Sequence, residues 1–383
     1  MSSVQGVESP SLAPFLQAIA ERCTECGACL KSCAFLAHYG TPKAIVAAFD
    51  FNLPTHQAIA YECSLCGLCT AVCPEQLEPM RLFLESRRLY VDGGNFKASA
   101  YKAILGYEKC GTSSLFSWYG IPEGCDTVFF PGCSLSGTRP EVTLRMFRDL
   151  RKNIPTLGVV LECCTKPSHD LGRRRYFESV FGKMAAYLNC RGIKKVLVAC
   201  PSCFKIFHQY GNGISVSTAY EYLDANSHVG QSPTWDRQVS VHDPCALRDE
   251  TSVHEAVRSL LHSFGLKVTE MQHSGRHTIC CGEGGMVGFA KPGLAREWSA
   301  IRKQEAADIQ VVTYCAGCTG FLNQVTPVIH IGDLIYRPEA VKNGNVLAAR
   351  APFTYLNRLI LKLRFKNEIT PKTGGIRRLT PRY

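Results

Sequence analysis

The placement of the cysteines limits what this chain can become more than any other feature. Eighteen of its 21 cysteines fall into four ordered groups. The first is Cys23, Cys26, Cys29 and Cys33, and the second is Cys63, Cys66, Cys69 and Cys73. Two groups of five follow: Cys133, Cys163, Cys164, Cys200 and Cys203, then Cys245, Cys280, Cys281, Cys315 and Cys318. Cys110, Cys125 and Cys190 lack spacing partners and read as structural. An odd 21 in 383 residues is too sparse for a small disulfide scaffold, where cysteine exceeds about 8%. Recurring short spacings mean metal ligands instead, and they imply a reducing compartment: the cytoplasm, in an anaerobic organism.

The first two groups both read CxxCxxCxxxC, in CTECGACLKSC and CSLCGLCTAVCP. Three cysteines at a three-residue pitch wrap a turn of chain round one face of an iron–sulfur cube. Gly27 and Gly67 let the backbone pass close to it. Zinc ribbons use separated CxxC pairs instead. The runs resemble those of two-cluster ferredoxins, in which the fourth cysteine ligates the other cube. That resemblance assigns Cys23, Cys26, Cys29 and Cys73 to one cluster, and Cys63, Cys66, Cys69 and Cys33 to the other. The second run ends in Cys73-Pro74; the first ends in Cys33-Ala34 and lacks the turning proline.

The two five-cysteine groups are copies in the same order, offset by 112, 117, 117, 115 and 115 residues. Short β-branched runs lead into the cysteines: residues 126–130 before Cys133, 158–161 before Cys163-Cys164, and 194–199 before Cys200. In the second copy, 238–241 precede Cys245, Thr278-Ile279 precede Cys280-Cys281, and 309–314 precede Cys315. Helical patterns follow near 141–152 and 252–264. Alternating strands and helices predict a parallel sheet covered by helices, with ligands at the carboxyl ends of its strands. Adjacent cysteines in an extended chain point to opposite sides, so Cys280 and Cys281 are expected to reach different irons or to let one sulfur bridge. Five thiolates suit an elongated cluster with an exposed iron; an ordinary cube, or zinc with a spare thiol, is the simpler alternative.

Two such copies behind a two-cluster unit resemble the cysteine-rich (CCG) domains of heterodisulfide reductases. The order is similar to the membrane-associated D subunit of that family, itself like a fusion of the soluble enzyme's C and B subunits. The resemblance covers roughly residues 15–340. It implies a noncubane 4Fe–4S cluster on each five-cysteine set, with a disulfide cleaved between the two. Cys280-Cys281-Gly282 fits the family motif. Cys163-Cys164-Thr165 departs from it by losing the glycine, and with it backbone freedom beside the first noncubane cluster.

His242 and His277 each stand three residues before a group cysteine. They are weak candidates to donate a proton or to hydrogen-bond a cluster sulfur. Gly282-Glu283-Gly284-Gly285 does not complete GxGxxG and reads as packing beside a cluster. No other dinucleotide fingerprint occurs, so no flavin or NAD is expected in this chain.

The net charge is +11, but nine Lys/Arg against Glu368 alone fall after residue 349. The body is therefore nearly neutral, which argues against a nucleic-acid partner. In residues 352–366, Phe353, Leu356, Ile360 and Leu363 form one helical stripe, with Arg358, Lys362 and Arg364 largely off it. A basic amphipathic helix suits a peripheral contact at the inner face of the cytoplasmic membrane; residues 366–383 read as disordered. Neither a signal peptide nor an apolar run long enough to span a bilayer is visible.

The expected fold is α+β followed by α/β. A helical two-cluster ferredoxin-like domain (15–100) precedes a duplicated Rossmann-like cysteine-rich domain (125–235 and 236–345), then a basic helix and tail (346–383). Two functions share these ligands. One is a reductase subunit, fed by a membrane b-type cytochrome, that reduces a disulfide or oxidises thiols. The other is a non-catalytic relay that wires a flavoprotein dehydrogenase of the glycerol-3-phosphate, glycolate or lactate type to quinone or cytochrome.

Overall fold

The computed structural model describes residues 11–226 and 235–369. Its front is helical, with no strand among the described residues before Trp118. Helix Ala13–Arg22 buries Leu16 and Ile19 on one side, and Pro42–Ala48 starts where Thr41 Oγ1 accepts from Ala44 N at 3.1 Å. Both cysteine runs lie between helices, with Gly27 at φ +72° and Gly67 at φ +78°. The longer helix Pro79–Asp92 backs both runs and carries the fully buried Arg87.

Two sheets follow. The first contains β1 (Trp118–Gly120), β2 (Thr127–Phe130), β3 (Gly158–Leu161), β4 (Lys195–Val198) and β5 (Ser215–Thr218), in the order β1-β3-β2-β4-β5. β1 pairs antiparallel, and the other pairs are parallel. The second contains β6 (Arg237–His242), β7 (Leu266–Thr269), β8 (Gln310–Thr313) and β9 (Val328–His330), in the order β7-β6-β8-β9 and all parallel. The strand order β3-β2-β4-β5 in the first sheet thus matches β7-β6-β8-β9 in the second. β2, β3 and β4 are almost wholly buried apolar runs, as expected of parallel strands covered on both faces.

One expected strand is absent. Thr278-Ile279 is irregular, and the second sheet uses β7, well before the cysteine pair. Thr278 instead turns its hydroxyl onto Asp243 O at 2.7 Å. The two copies pack on each other through buried polar contacts. Arg139 Nε donates to Asp333 Oδ2 at 2.6 Å, and Tyr220 Oη lies 3.1 Å from Ala199 O and 3.3 Å from Tyr314 O.

Helix Phe353–Glu368 closes the first copy and reverses part of the sequence expectation. Its apolar stripe (Phe353, Leu356, Ile360, Leu363) is 39–62% exposed, while Arg358 and Lys362 are buried. Lys362 Nζ donates to the carbonyls of Ser114 and Leu115 at 2.7 and 2.9 Å, and Arg364 pairs with Glu141 at 2.9 Å. The helix is therefore held by its cations and shows its greasy side outward. Residues 370–383, most of the segment expected to be disordered, lie outside the described residues.

Candidate metal centres

Each cysteine group becomes a cluster of thiols. In the front domain Cys29 is surrounded by Cys23, Cys26 and Cys73; burial and these neighbours push its thiol up to about 11. A cavity lined by Cys23, Cys26, Cys29, Cys69 and Cys73 opens there. Cys33 instead meets Cys66, Cys63 and Cys69, and burial with those neighbours drives it well above the usual thiol range. The fourth cysteine of each run thus lies beside the first three of the other.

In the first copy, side-chain contacts run from Cys133 to Cys163, Cys164, Cys203 and Cys200. In the second they run from Cys245 to Cys280, Cys281, Cys318 and Cys315. The adjacent pairs do not splay apart as a simple extended chain predicts: Cys163 touches Cys164, and Cys280 touches Cys281. The chain turns directly after each pair, at Thr165 (φ +54°) and Gly282 (φ +103°). Hydrogen bonds from Cys163 and Cys203 hold Cys164 down to about 6, and those from Cys280 and Cys318 hold Cys281 at about 7. A depressed thiol gives up its proton more readily, and the thiolate is the form that binds metal.

Most of these cysteines sit where a buried strand ends and a helix begins. Cys200 and Cys315 cap the helices Pro201–Tyr210 and Ala316–Leu322, whose first N–H groups favour negative charge. The donor set is sulfur, buried and crowded; unligated, so many thiols in contact would repel once ionised. The residues therefore fit iron–sulfur groups.

The front domain is riveted to both copies by Arg87. Its guanidinium donates to Ala60 O (3.0 and 2.9 Å), Cys63 O (2.6 Å), Asp170 O (2.7 Å) and Gly285 O (2.7 Å). The second copy makes the closer approach to the front thiols. A Cβ on Gly284 would fall 2.5 Å from Ser64 O and 2.9 Å from Cys280 Sγ, and one on Gly285 would fall 2.5 Å from Cys63 O. The GEGG loop thus packs the Cys63–Cys66 turn against the Cys280 group. Arg248 adds bonds to Cys66 O at 3.1 Å and Thr278 O at 2.6 Å.

His242 and His277 part company. His277 is exposed on a short turn. His242 is fully buried, both ring nitrogens lack a partner, and one ring nitrogen lies within 4.8 Å of the Cys281 and Cys318 thiols. Burial and the nearby Arg302 hold its pKa down to about 3, so the ring is neutral. Glu283 forms a second such group with Cys315 and Cys318, and burial raises its pKa. Lys166 occupies the equivalent position in the first copy. It pairs with Asp170 and feels the charge of both Cys245 and Cys164, which puts it between the two five-thiol groups.

Sequence reasoning missed Asp243, although it stands in the HDPC motif. Fully buried, it accepts from Arg258 Nη1 and Nη2 (3.0 and 2.9 Å), Gly275 N (2.7 Å) and Tyr314 Oη (2.9 Å), so it fixes the loops bearing Cys245 and Cys280. It also missed a groove containing Lys102, Lys109, Arg173, Arg174 and Arg175, which gives the nearly neutral body a strongly cationic face. Of the leftover cysteines, Cys125 is buried and donates to Thr127 O at 3.2 Å, Cys110 is half-buried and Cys190 exposed.

Residues 22–78 match the family model of the 4Fe-4S dicluster domain, and residues 127–208 and 239–323 each match that of the cysteine-rich domain. The chain is thus an iron–sulfur protein with one dicluster domain and two cysteine-rich domains, related to the D subunits of heterodisulfide reductases and equipped for electron transfer. It is 26% identical over 217 residues to the D subunit of the dihydromethanophenazine:CoB–CoM heterodisulfide reductase of Methanosarcina barkeri, covering 52% of this chain and 53% of that one. It is 27% identical over 232 residues to the B subunit of the fumarate reductase (CoM/CoB) of Methanothermobacter marburgensis, covering 56% and 45%. A probable membrane-anchored ferredoxin of Chromohalobacter salexigens is 26% identical, covering 54% and 33%. The chain therefore spans about half or less of the length of these relatives. No helix among the described residues is long and apolar enough to cross a membrane.

Proposed function

We propose that this chain takes electrons into two cubane 4Fe–4S clusters and delivers them to two noncubane 4Fe–4S clusters that reduce a disulfide. The overall change is R–S–S–R′ plus two electrons and two protons giving RSH and R′SH. The cubanes are assigned to Cys23, Cys26, Cys29 and Cys73, and to Cys63, Cys66, Cys69 and Cys33. The noncubane clusters are assigned to the Cys133, Cys163, Cys164, Cys200 and Cys203 set and to the Cys245, Cys280, Cys281, Cys315 and Cys318 set. When bound, these groups supply one-electron reduction and an iron on which a substrate sulfur rests.

The observation that carries the reading is the five-thiol contact chain in each copy, one thiol beyond what a cube requires, with the second chain packed directly on the Cys63–Cys66 turn. The residues do the rest. Gly284 and Gly285 keep the donor turn in contact with the acceptor thiols, and Arg87 fixes that contact. Lys166 puts a cation between the two sites, where thiolate charge develops. His242, neutral and unpartnered, stands beside the Cys281 and Cys318 thiols, where its N–H would face a sulfur of the bound group. The exposed stripe of Phe353, Leu356, Ile360 and Leu363 serves as the peripheral contact to the membrane, where a b-type cytochrome partner would donate.

The test is EPR with iron and sulfide analysis on anaerobically purified protein, poised oxidised and titrated with small thiols. About sixteen irons per chain with a thiol-dependent paramagnetic signal is the expected result. Sixteen irons with no response to any thiol would favour a relay between a flavoprotein and a quinone or cytochrome. About eight irons would remove the chemistry assigned to the cysteine-rich copies.

A further inference from the structure

The C-terminal helix Phe353–Glu368 lies outside both cysteine-rich copies, yet it reaches into the first one's thiols. Arg358 projects from its buried face and is 4% exposed. Its guanidinium carbon lies 5.1 Å from the centre of the Tyr107 ring and 5.5 Å from that of Phe116, so two aromatics fix its position. Tyr107 in turn donates its hydroxyl to Cys133 O at 3.0 Å. A Cβ on Gly111 would fall 2.9 Å from both Arg358 Nη2 and Cys163 Cβ. The guanidinium and the Cys163 side chain therefore close on the same glycine. Cys133, Ser136, Glu162, Arg358 and Leu361 line one small cavity.

Among the described residues no carboxylate lies within ion-pair distance of Arg358, Nη1 has no hydrogen-bond partner, and neither does the Ser136 hydroxyl. Burying an unpaired charge is costly, and two cation–π contacts offset only part of that cost. A negatively charged group must face it. Cys133 and the buried Glu162 line the same cavity as the guanidinium, and Cys163 meets it over Gly111; of these only the two cysteines belong to the five-thiol set.

The second copy carries its cation within itself and pairs it: Arg302, on helix Pro292–Ala306, is fully buried, bonds Glu305 Oε2 and His273 O at 2.7 Å each, and also feels the charge of Cys281 and Cys318. At the equivalent offset the first copy has Ala185–Tyr187, with no cation. The first copy therefore lacks an internal counterpart to Arg302, and a buried arginine reaches it from the helix beyond the repeat.

We propose that Arg358 is the electrostatic positioning residue of the first five-thiol site, which makes the C-terminal helix a working part of the redox unit. It places a positive charge beside the Cys133 and Cys163 side chains, and it raises the reduction potential of the group bound there. The proposal rests on the assignment of those cysteines as iron–sulfur ligands.

The experiment is a redox titration followed by EPR on the full, iron-loaded chain. Cys133→Ser identifies the first site's signal by the feature it perturbs. Arg358→Met is expected to shift that signal's midpoint downward and leave the other centres where they were, and Arg302→Met to shift a different centre. Arg358→Lys, which keeps the charge, is expected to recover much of the shift. Equal midpoints in wild type and Arg358→Met, at equal iron content, would overturn the proposal. If Arg358→Met does not retain iron, the polar but uncharged Arg358→Gln decides: an unperturbed spectrum and midpoint with the first site occupied would likewise overturn it. A wild-type chain holding only about twelve irons, with Cys133→Ser spectrally silent, would instead show that the ligand assignment had failed.

Discussion

The two cysteine-rich copies share their strand order and their five thiols, and they differ in nearly everything that touches those thiols. Where the first has Phe130, Thr165 and Lys166, the second has His242, Gly282 and Glu283 at the equivalent offsets. The first takes its buried cation from a helix outside the repeat, and the second takes Arg302 from within. The second packs its GEGG loop on the front thiols; the first meets the front domain through backbone, where Arg87 reaches Asp170 O and Gly172 (φ +81°) leaves no room for a Cβ against the Arg87 backbone. The two cysteine-rich domains share their ligands and strand order while their surroundings differ. Two sites with the same donors thus have unequal charge around them and unequal contact with the front domain.

That comparison can be broken most severely at the support both copies share. Arg87→Met strands four backbone carbonyls and is expected to cost about 3–5 kcal/mol, read as a loss of denaturation midpoint in the iron-loaded chain. A smaller but sharper contrast is the exchange of Thr165 and Gly282. Gly282→Thr forces a β-branched residue to φ +103°, with its Cβ 2.6 Å from Ala295 O, at about 2–4 kcal/mol. Thr165→Gly, at φ +54°, is expected to stay within about 1 kcal/mol of wild type. Comparable losses would mean that the copies turn in the same way after their cysteine pairs.

Asp243 gives the second copy a pH dependence. Burial pushes its carboxyl up, but hydrogen bonds from Arg258 and the charge they carry outweigh it and hold the group below the usual carboxylate range. Its stabilisation is therefore complete above the unfolded value of about 3.9 and is lost as pH falls through the folded one. Asp243→Asn is expected to cost about 2–3 kcal/mol near neutral pH and to flatten the acid limb of a stability–pH curve. His242→Phe makes the second copy resemble the first. Removing a buried imidazole with no partner is expected to leave stability within about 1 kcal/mol, while the second site's midpoint falls and weak nitrogen couplings vanish from its pulsed EPR spectrum. Leu356→Asp with Leu363→Asp, on the exposed stripe, is expected to change stability by no more than about 0.5 kcal/mol and to abolish co-sedimentation with anionic vesicles.

Much of this is legible in the linear chain because metal ligands and buried parallel strands are local patterns. The runs at 126–130, 158–161, 194–199, 238–241 and 309–314 are all strands within two residues of their expected ends, since β-branched runs ending in cysteine have few other uses. β1, β5 and β9 escape such a reading: three or four residues with polar members, as in Ser215–Thr218, give no periodic signal. Thr278-Ile279 mimics its strand counterpart in the first copy, but Asp243 captures its hydroxyl. The tail helix shows its stripe in the sequence but not its orientation, because periodicity tells which residues share a face and not which face meets the protein.

The sequence by itself determined the four thiol groups, the duplication of the second pair, and the strands that carry them, because each depends on spacing along the chain. Only the tertiary structure decided which charges answer those thiols. Arg87, Arg302 and Arg358 look like ordinary helix-surface arginines until segments far away along the chain close around them. A buried guanidinium is stabilised by partners distant in sequence, and no local pattern of residues records where those partners will be.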